Sequence, residues 1–293
     1  MKLLRSFQYQ VFLIPILLFY TVFTIYPLIK SFIFSLTDFN GYSKDYDFVG
    51  LTNYIKIFKD AAIVSGISYT LLFAISTTIL TTLLAIVLAL VLDRNFYTKN
   101  IHRAIFFFPS IPSGLILAYV WGFILSPIGS GVLNSVLHDW FGAGPQPWLS
   151  EPMLAKLSTI LVAVWAGAGW HAVLYLAFLQ GISKDYYEAA SIDGATRWQQ
   201  IRNITLPLLA PAMTISVMLL LTGGLKVFEI PFALTKGGPG FETHTITQVI
   251  VLRGISEVQF GLASAMSIVF FLIVLALTYF QVTVMQRREE KMQ

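Results

Sequence analysis

Ionisable and nucleophilic residues are scarce in the apolar stretches of this sequence, which limits the chemistry available to it. The chain has no cysteine, so a cysteine nucleophile, a disulfide and a thiolate metal site are excluded. Its long apolar runs contain one histidine, His171, and two formally charged residues, Lys226 and Glu229. An intramembrane enzyme would need a His/Asp/Glu cluster or a serine-based dyad, and these three residues are too few. We expect no catalytic residue, no metal site and no cofactor in this chain.

Lys226 and Glu229 lie three positions apart in one apolar run. A charged side chain in hydrocarbon costs a few kcal/mol on insertion scales, so neither residue should face lipid. Two interpretations follow. The pair lines a path for a polar solute, or it forms a structural i,i+3 ion pair or a contact with another subunit.

The apolar runs themselves predict an integral membrane protein. Hydrophobic residues make up 56% of the 293 residues, charged residues 12%, and the mean hydropathy is +0.74. A helix needs about 20 apolar residues to cross a hydrocarbon core of about 30 Å. The sequence therefore predicts an all-α fold with six transmembrane helices within residues 11–285, at Val11–Ile29, Tyr69–Leu92, Ala104–Ser126, Leu157–Leu179, Ala212–Leu234 and Leu262–Met285.

The distribution of Lys and Arg predicts the orientation of these spans. The first run is longer than a signal-peptide core and no small-residue cleavage pattern follows it, so we interpret it as a retained anchor. With both termini in the cytoplasm, the inner segments hold more Lys and Arg than the outer ones. Residues 1–10 and 286–293 are then a cytoplasmic N-terminus and tail of a multi-pass protein in a bacterial-type inner membrane. The net charge of +4 follows from this bias and indicates no nucleic-acid partner.

Two connecting segments have helical patterns of their own. Residues 30–67 form an external segment in which Leu51–Phe58 is amphipathic, and we predict a short interfacial helix capped at Thr52 or Asn53. Residues 181–211 form a cytoplasmic loop for which local rules predict two short helices. Asp185 is the expected first cap, Gly194 ends the first helix, and Thr196 with Gln199 forms a capping box for the second. Pro207 and Pro211 are expected to end that helix.

The cytoplasmic loop resembles the EAA coupling loop of binding-protein-dependent ABC importers. The residues that carry the resemblance are Glu188-Ala189-Ala190, Gly194, Ile204 and Leu206-Pro207. Phe48-Val49-Gly50-Leu51-Thr52-Asn53-Tyr54, Lys226-Val227-Phe228-Glu229 and Thr235-Lys236-Gly237-Gly238-Pro239 are similar to the sugar-permease branch typified by the maltose and glycerol-3-phosphate systems. The similarity covers nearly the whole chain and implies a type I importer permease with a cytoplasmic helix-turn-helix coupling loop.

The resemblance also implies roles for individual residues. The loop residues would transmit ATP-driven closure to the spans by docking in a cleft of the ATP-binding subunit. The spans before and after the loop would line the solute path, although positions equivalent to the polar sugar ligands of the maltose subunit are Ala163, Leu220, Gly224 and Val227 here. The expected coupling set is Glu188, Ala189, Ala190, Gly194, Ile204, Leu206 and Pro207, and the expected solute-path set is Gly167, Trp170, Gly223, Gly224, Lys226, Val227 and Glu229.

The resemblance implies a set of partners as well. These are a second, homologous permease subunit in a heterodimer, two ABC ATPase subunits, an extracytoplasmic solute-binding protein and the surrounding lipid. The sequence contains no Gly-x-x-x-x-Gly-Lys-Ser/Thr, so ATP and Mg²⁺ would be bound by the ATPase subunits. An ion-coupled secondary carrier is the competing hypothesis. It predicts several buried acids, whereas Glu229 is the only carboxylate within the predicted spans. We therefore expect import of a sugar, an oligosaccharide or a related polyol or phosphodiester.

Overall fold

The computed structural model describes residues 13–128 and 131–290, and of residues 286–290 it describes the backbone. The predicted N-terminus at residues 1–10, the start of the first predicted span and the last three residues of the predicted tail lie outside the described part. Regular structure in the described part is helical, apart from one isolated antiparallel bridge between Thr37 and Phe48. The expected all-α membrane fold is confirmed.

Thirteen helices cover most of the described chain, and we number them in sequence order. Three of them each contain one π-helical turn, at Thr21–Ile25, Ile201–Thr205 and Leu252–Ser256. Their bounds are α1 Leu13–Ser35, α2 Thr52–Lys59, α3 Ala61–Leu92, α4 Lys99–Phe107, α5 Gly114–Ile124, α6 Val132–Phe141, α7 Pro152–Leu179, α8 Lys184–Ile192, α9 Arg197–Leu208, α10 Ala210–Leu225, α11 Glu229–Thr235, α12 Ile246–Ser256 and α13 Phe260–Glu290.

Four of these helices are long and apolar enough to cross a membrane unbroken, namely α1, α3, α7 and Phe260–Met285 of α13. Each of two bent pairs can count as one further span, which gives up to six. One pair is Lys99–Ser110 with α5, bent by 95°, and the other is α9 with α10, bent by 65°. The expectation of an uninterrupted helix was therefore wrong for the third run, Ala104–Ser126. It was also wrong for the fifth run, Ala212–Leu234, because α10 ends at Leu225 and α11 begins at Glu229.

Prolines and a cap explain the break in the third run. Pro109 lies in a 3₁₀ turn at Phe108–Ser110, and Pro112 follows shortly after it. A proline has no N–H to continue a helix, and its ring clashes with the preceding turn. The side chain of Ser113 then accepts a hydrogen bond from the N–H of Ile116 and begins α5 as a new helix. The chain thus changes direction where two nearby prolines both oppose helix continuation.

A π-helical turn precedes a proline in α1 and again in α9. The N–H of Tyr26, just before Pro27, donates to the carbonyl of Thr21, and the N–H of Leu206, just before Pro207, donates to that of Ile201. The wider turn moves the last hydrogen bond back by one residue, so the proline ring follows without breaking the helix. Pro207 and Pro211 were expected to end the second loop helix, and α9 ends between them, at Leu208.

The chain forms two compact units. The first contains residues 13–64 and Val249–Ile273. Its centre is Asn53, which is buried and donates from its side chain to the carbonyls of Ser35 and Thr37. The cap predicted for α2 was wrong, since its N-cap is Leu51 and Asn53 points inward instead. Arg253 forms ion pairs with Asp60 and Glu257 in the same unit.

The second unit contains Ser65–Gln248 with residues 274–290. Its packing depends on small residues that let helices approach closely, as is typical of membrane proteins. A Cβ atom added to Gly169 of α7 would collide with the carbonyl oxygen of Phe106, and one added to Gly224 of α10 would lie 2.8 Å from the Cα of Ala74. Ala85, Ala89, Ala172, Tyr175, Leu179, Leu209 and Ala212 form one of its buried clusters.

Replacing Gly169 with Ala should destabilise the second unit. The added methyl group would meet the backbone of Phe106, which cannot move aside cheaply, and overpacking of this kind costs about 1–3 kcal/mol. Gly122→Ala in α5 is the matched control, because nothing lies within 4 Å of its Cβ position and alanine favours a helix. Thermal unfolding in detergent should show a lower Tm for Gly169→Ala and an equal or higher Tm for Gly122→Ala. Equal Tm values for the two variants would contradict the close contact.

Candidate functional site

Helices α8 and α9 form a hairpin in the segment for which two short helices were predicted. The side chain of Ser183 caps α8 by accepting from the N–H of Asp185, so the predicted cap at Asp185 was wrong by two residues. Gly194 follows α8 with a φ of 77°, a left-handed conformation that glycine adopts without strain. Thr196 and Gln199 form the complete capping box expected at the start of α9.

Hydrogen bonds between the two arms hold this hairpin in one geometry. The hydroxyl of Tyr187 on α8 lies 3.0 Å from Oγ1 of Thr205 on α9, and Thr205 is buried. The side-chain amide of Gln200 donates to Oγ of Ser191 at 3.0 Å. Sequence reasoning missed both pairs, because their members are 18 and 9 positions apart and lie outside the motif. The hairpin is therefore a braced element rather than two independent helices.

The hairpin also has an exposed surface that carries large apolar side chains. Glu188 and Ala189 are exposed, with Ala190 partly covered beside them. Ile192 is 87% exposed and Trp198 67% exposed. Large apolar residues exposed next to a carboxylate are typical of a surface that another protein covers.

The hairpin continues directly into a core helix of the second unit. Ile204, Leu206 and Pro207 are partly buried along the last turns of α9. Leu209, at the bend between α9 and α10, is fully buried against residues of α3 and α7 such as Ala89 and Tyr175. A displacement of the hairpin must therefore move this packed junction.

The second part of the candidate site is a break after α10. The helix is regular through Gly223 and Gly224 and ends at Leu225. The carbonyl of Val227 accepts from the hydroxyl of Thr247 at 2.6 Å. The carbonyl of Phe228 accepts from the N–H of Phe232 at the start of α11 and also from the amide of Gln248 at 3.2 Å. The chain resumes as α11 at Glu229.

This break separates Lys226 from Glu229. Lys226 is exposed, and the ion pairs of the described residues do not include it. The i,i+3 pair considered above is absent, because residues 226 and 229 do not share a helix. The Glu229 carboxylate instead lies against Gly114, with Oε2 2.6 Å from where a Cβ on that glycine would be. It is thus at the first turn of α11 and also at the start of α5, and both helix dipoles favour its negative charge.

The remaining residues of the expected solute-path set do not share one environment. Gly224 packs on Ala74, and Val227 packs against a cluster that contains Tyr69 and Phe73. A Cβ on Gly167 would make an ordinary contact with Thr81, whereas one on Gly223 would meet no atom within 4 Å. Gly223, Trp170 and Lys226 are exposed.

The fourth span also contains a buried histidine beside Trp170. His171 is buried and its Nδ1 lies 2.8 Å from the hydroxyl of Ser216. The two neighbouring rings pack edge to face, with centroids 4.7 Å apart. His171 therefore has a packing partner on α10, while Trp170 presents its exposed ring beside it.

A tight turn with a covering histidine follows α11. His244 packs over Gly237, whose φ is 87°, and any side chain at that position would collide with the imidazole. Burial lowers the pKa of His244, and a backbone hydrogen bond at Lys236 partly offsets this. Glu242 of the same turn forms an ion pair with Lys156 at the start of α7. These contacts fix the turn that links α11 to α12 within the second unit.

Comparison with known proteins identifies similar chains over nearly the full length. Residues 81–291 match the family model described as a binding-protein-dependent transport system inner membrane component. The chain is 32% identical over 284 residues to the probable starch degradation products transport system permease protein AmyD of Thermoanaerobacterium thermosulfurigenes, covering 97% of this chain and 96% of that one. It is 31% identical over 266 residues to the trehalose/maltose transport system permease protein MalF of Thermococcus litoralis, covering 91% and 89%.

The fold is similar to that of a solved transporter subunit. A chain from the crystal structure of a bacterial alginate ABC transporter, in complex with an alginate pentasaccharide-bound periplasmic protein, aligns with a TM-score of 0.86 at 25% identity. The alignment covers 98% of this chain and 97% of that one.

Thr247→Val should destabilise the break after α10. The substitution keeps the shape of the side chain but removes the hydroxyl that donates to the partly buried Val227 carbonyl and pairs with Thr245, and a lost hydrogen bond of this kind costs about 0.5–1.5 kcal/mol. Thr222→Val is the matched control, since its hydroxyl bonds to the Met218 carbonyl within α10, which the helix already satisfies. Unfolding in detergent should show a lower Tm for Thr247→Val than for Thr222→Val. The reverse order would show that the carbonyl does not need Thr247.

Proposed function

The chain belongs to the family of binding-protein-dependent transport system inner membrane components, and from this premise we propose that it forms one membrane-spanning half of an ABC importer for a sugar, an oligosaccharide or a related polyol or phosphodiester. The family consists of transport subunits rather than enzymes. Support for the solute class comes from the carbohydrates named for AmyD, for MalF and for the alginate transporter.

The braced hairpin of α8 and α9 is the observation that carries this proposal. Its inner face is tied together by Tyr187 with Thr205 and by Ser191 with Gln200. Its outer face presents Glu188 beside the exposed Ile192 and Trp198. In our proposal this face docks on an ATPase subunit, and the hairpin is cytoplasmic with both chain termini on the same side.

The proposed coupling residues divide into a docking and a transmitting group. Glu188, Ala189 and Ala190 lie on α8, where small side chains permit close approach and the carboxylate supplies a charged contact. Gly194 sets the angle between the arms through its positive φ. Ile204, Leu206 and Pro207 link the hairpin to the packed bend at Leu209. ATP and Mg²⁺ would bind to the two ATPase subunits, because this chain has no phosphate-binding loop.

The proposed solute path uses the exposed members of the expected set. Gly223, Lys226 and Trp170 are exposed, and Glu229 is placed at two helix starts shortly after them in sequence. A lysine at membrane depth must contact water, solute or a partner, since lipid is unfavourable for it. Gly167, Gly224 and Val227 would shape the path by packing. We propose that an extracytoplasmic binding protein delivers the solute to it.

A second permease subunit is the other partner that we propose. The span-length window of α1 has no buried residue, and its apolar side chains are exposed all round the helix. Lipid can cover such a surface, and so can a homologous subunit. A heterodimer of related permeases would supply the other wall of the solute path.

Replacing Glu188 should uncouple ATP hydrolysis from uptake. Glu188→Ala removes the charged contact from the docking face without touching the Tyr187–Thr205 brace. In proteoliposomes with the ATPase subunits and the binding protein, stimulation of ATPase activity by solute-loaded binding protein should fall at least about tenfold, as for loss of a charged hydrogen bond. Asp193→Ala is the control, because Asp193 is an exposed acid in the same hairpin. Unchanged stimulation in Glu188→Ala would remove this residue from the coupling role.

Replacing Gly194 should also uncouple ATP hydrolysis from uptake, in this case by changing the angle between the two arms of the hairpin. Gly194→Val forces a branched side chain into a left-handed conformation, which costs about 1–2 kcal/mol and favours a change in the angle between the arms. Binding of solute to the separate receptor should stay intact while uptake falls. Gly142→Val is a control for the conformational cost alone, since Gly142 also has a positive φ but ends α6. Equal uptake by both variants would contradict the coupling role of Gly194.

Lys226→Ala should weaken transport without preventing assembly of the complex. The residue is exposed and makes no ion pair among the described residues, so its removal leaves the packing of α10 unchanged. Uptake of radiolabelled solute should fall, and Lys226→Arg should restore part of it if the positive charge is what matters. Full uptake by Lys226→Ala at normal complex yield would place this residue outside the solute path.

A further inference from the structure

A groove between α4 and α7 is distinct from both parts of the candidate site. Its volume is about 420 Å³. The wall is apolar along most of its length, and polar groups are confined to Arg103 on α4 and Gln180 after α7. The lining residues are Arg103, Ala104, Phe107, Val173, Leu176, Ala177 and Gln180.

Arg103 gives the groove a positive charge that the described residues do not neutralise. One terminal nitrogen of the guanidinium, Nη2, donates to the carbonyl of Leu92 at the end of α3. Its Nε is buried and has no acceptor among the described residues. No ion pair in that part of the chain involves Arg103 or the nearby cations Arg94 and Lys99. The groove therefore combines an apolar wall with uncompensated positive charge at one place.

The helix that carries Arg103 has the character of a segment lying at a membrane surface. It is amphipathic, and the chain turns by 95° between Lys99–Ser110 and α5. Its apolar residues Ile101 and Ile105 are exposed, and Tyr97 just before it is fully exposed. Basic residues with exposed aromatic and aliphatic neighbours are typical of the headgroup region of a bilayer.

We propose that this groove is a binding site for an anionic phospholipid. The phosphate pairs with Arg103 and is attracted by Lys99 and Arg94, and an acyl chain lies along Val173, Leu176, Ala177 and Phe107. Charge complementarity favours this occupant over an apolar peptide, which would leave the guanidinium unmatched, and over a zwitterionic lipid, whose headgroup has no net charge. In the proposed orientation the site belongs to the cytoplasmic leaflet.

The absence of native cysteine makes the site directly accessible to a spectroscopic test. A single cysteine at Ala104, which lines the groove, carries a small environment-sensitive fluorophore, and Ile105→Cys on the same helix is the control because Ile105 is exposed outside the groove. Each labelled chain is assembled with its partner subunits in nanodiscs. The nanodiscs contain phosphatidylglycerol or phosphatidylcholine with brominated acyl chains at equal mole fraction, and fluorescence quenching is measured. Unsubstituted assemblies give the background from thiols of the partners.

The expected result is stronger quenching at position 104 by the anionic lipid than by the zwitterionic one, and equal quenching at position 105. Half-maximal quenching at position 104 should need about fivefold less anionic lipid than zwitterionic lipid, as expected for one cationic contact near the surface. Arg103→Gln should abolish the preference and Arg103→Lys should retain it. If Arg103→Gln fails to assemble, the double variant Arg94→Gln/Lys99→Gln still reduces the preference without altering the bond to Leu92.

Two outcomes would overturn the proposal. Equal quenching at position 104 by both lipids would mean that the groove does not select for negative charge. Absence of quenching at position 104 together with normal quenching at position 105 would mean that another subunit covers the groove. Neither outcome bears on solute transport or on coupling at Glu188, so the lipid site and the importer function are tested separately.

Discussion

Every backbone N–H and C=O group at membrane depth must find a partner within the protein, and the interrupted spans show how this chain meets that requirement. A straight apolar helix satisfies the rule automatically, as α3 and α7 do. Where α10 ends, a side chain meets the rule for Val227, because Thr247 donates to its carbonyl, and Gln248 adds a second donor to the carbonyl of Phe228 beside the N–H of Phe232. Polar residues 20 positions further along therefore fold back onto the break and supply donors to it.

Features that depend on many residues at once, or on close neighbours in the chain, could be predicted from the sequence. The length and apolar character of α3, α7 and α13 are averages over many residues, so the runs identified the spans reliably. Gly194 and the Thr196–Gln199 box depend on neighbours within four positions and could be predicted from local rules. The break at Lys226 depends on side chains far along the chain, and no hydropathy average contains that information.

A similar distinction applies to the candidate site. The motif around Glu188 could be found because its spacing is short and specific. The Tyr187–Thr205 brace joins residues 18 positions apart, and neither residue belongs to the motif. The exposure of Ile192 and Trp198 could not be inferred either, because an apolar residue on a short helix usually packs against something. A sequence pattern identified the surface, whereas its rigidity and its apolar content became clear only from the folded hairpin.

The continuity of the chain between the two parts of the site gives them a mechanical relation. From Arg197 to Leu225 the chain is helical apart from the bend at Leu209, and that bend is fully buried against α3 and α7. A force applied to the hairpin cannot be absorbed by the brace or by the bend, because both are held by hydrogen bonds or by close packing. The first interruption after that bend follows Leu225, where side chains of α12 donate to the carbonyls of Val227 and Phe228. Since side-chain hydrogen bonds exchange more readily than a helical ladder, this break is where motion started at the hairpin would change local geometry. Lys226, which has no ion-pair partner among the described residues, lies at that point.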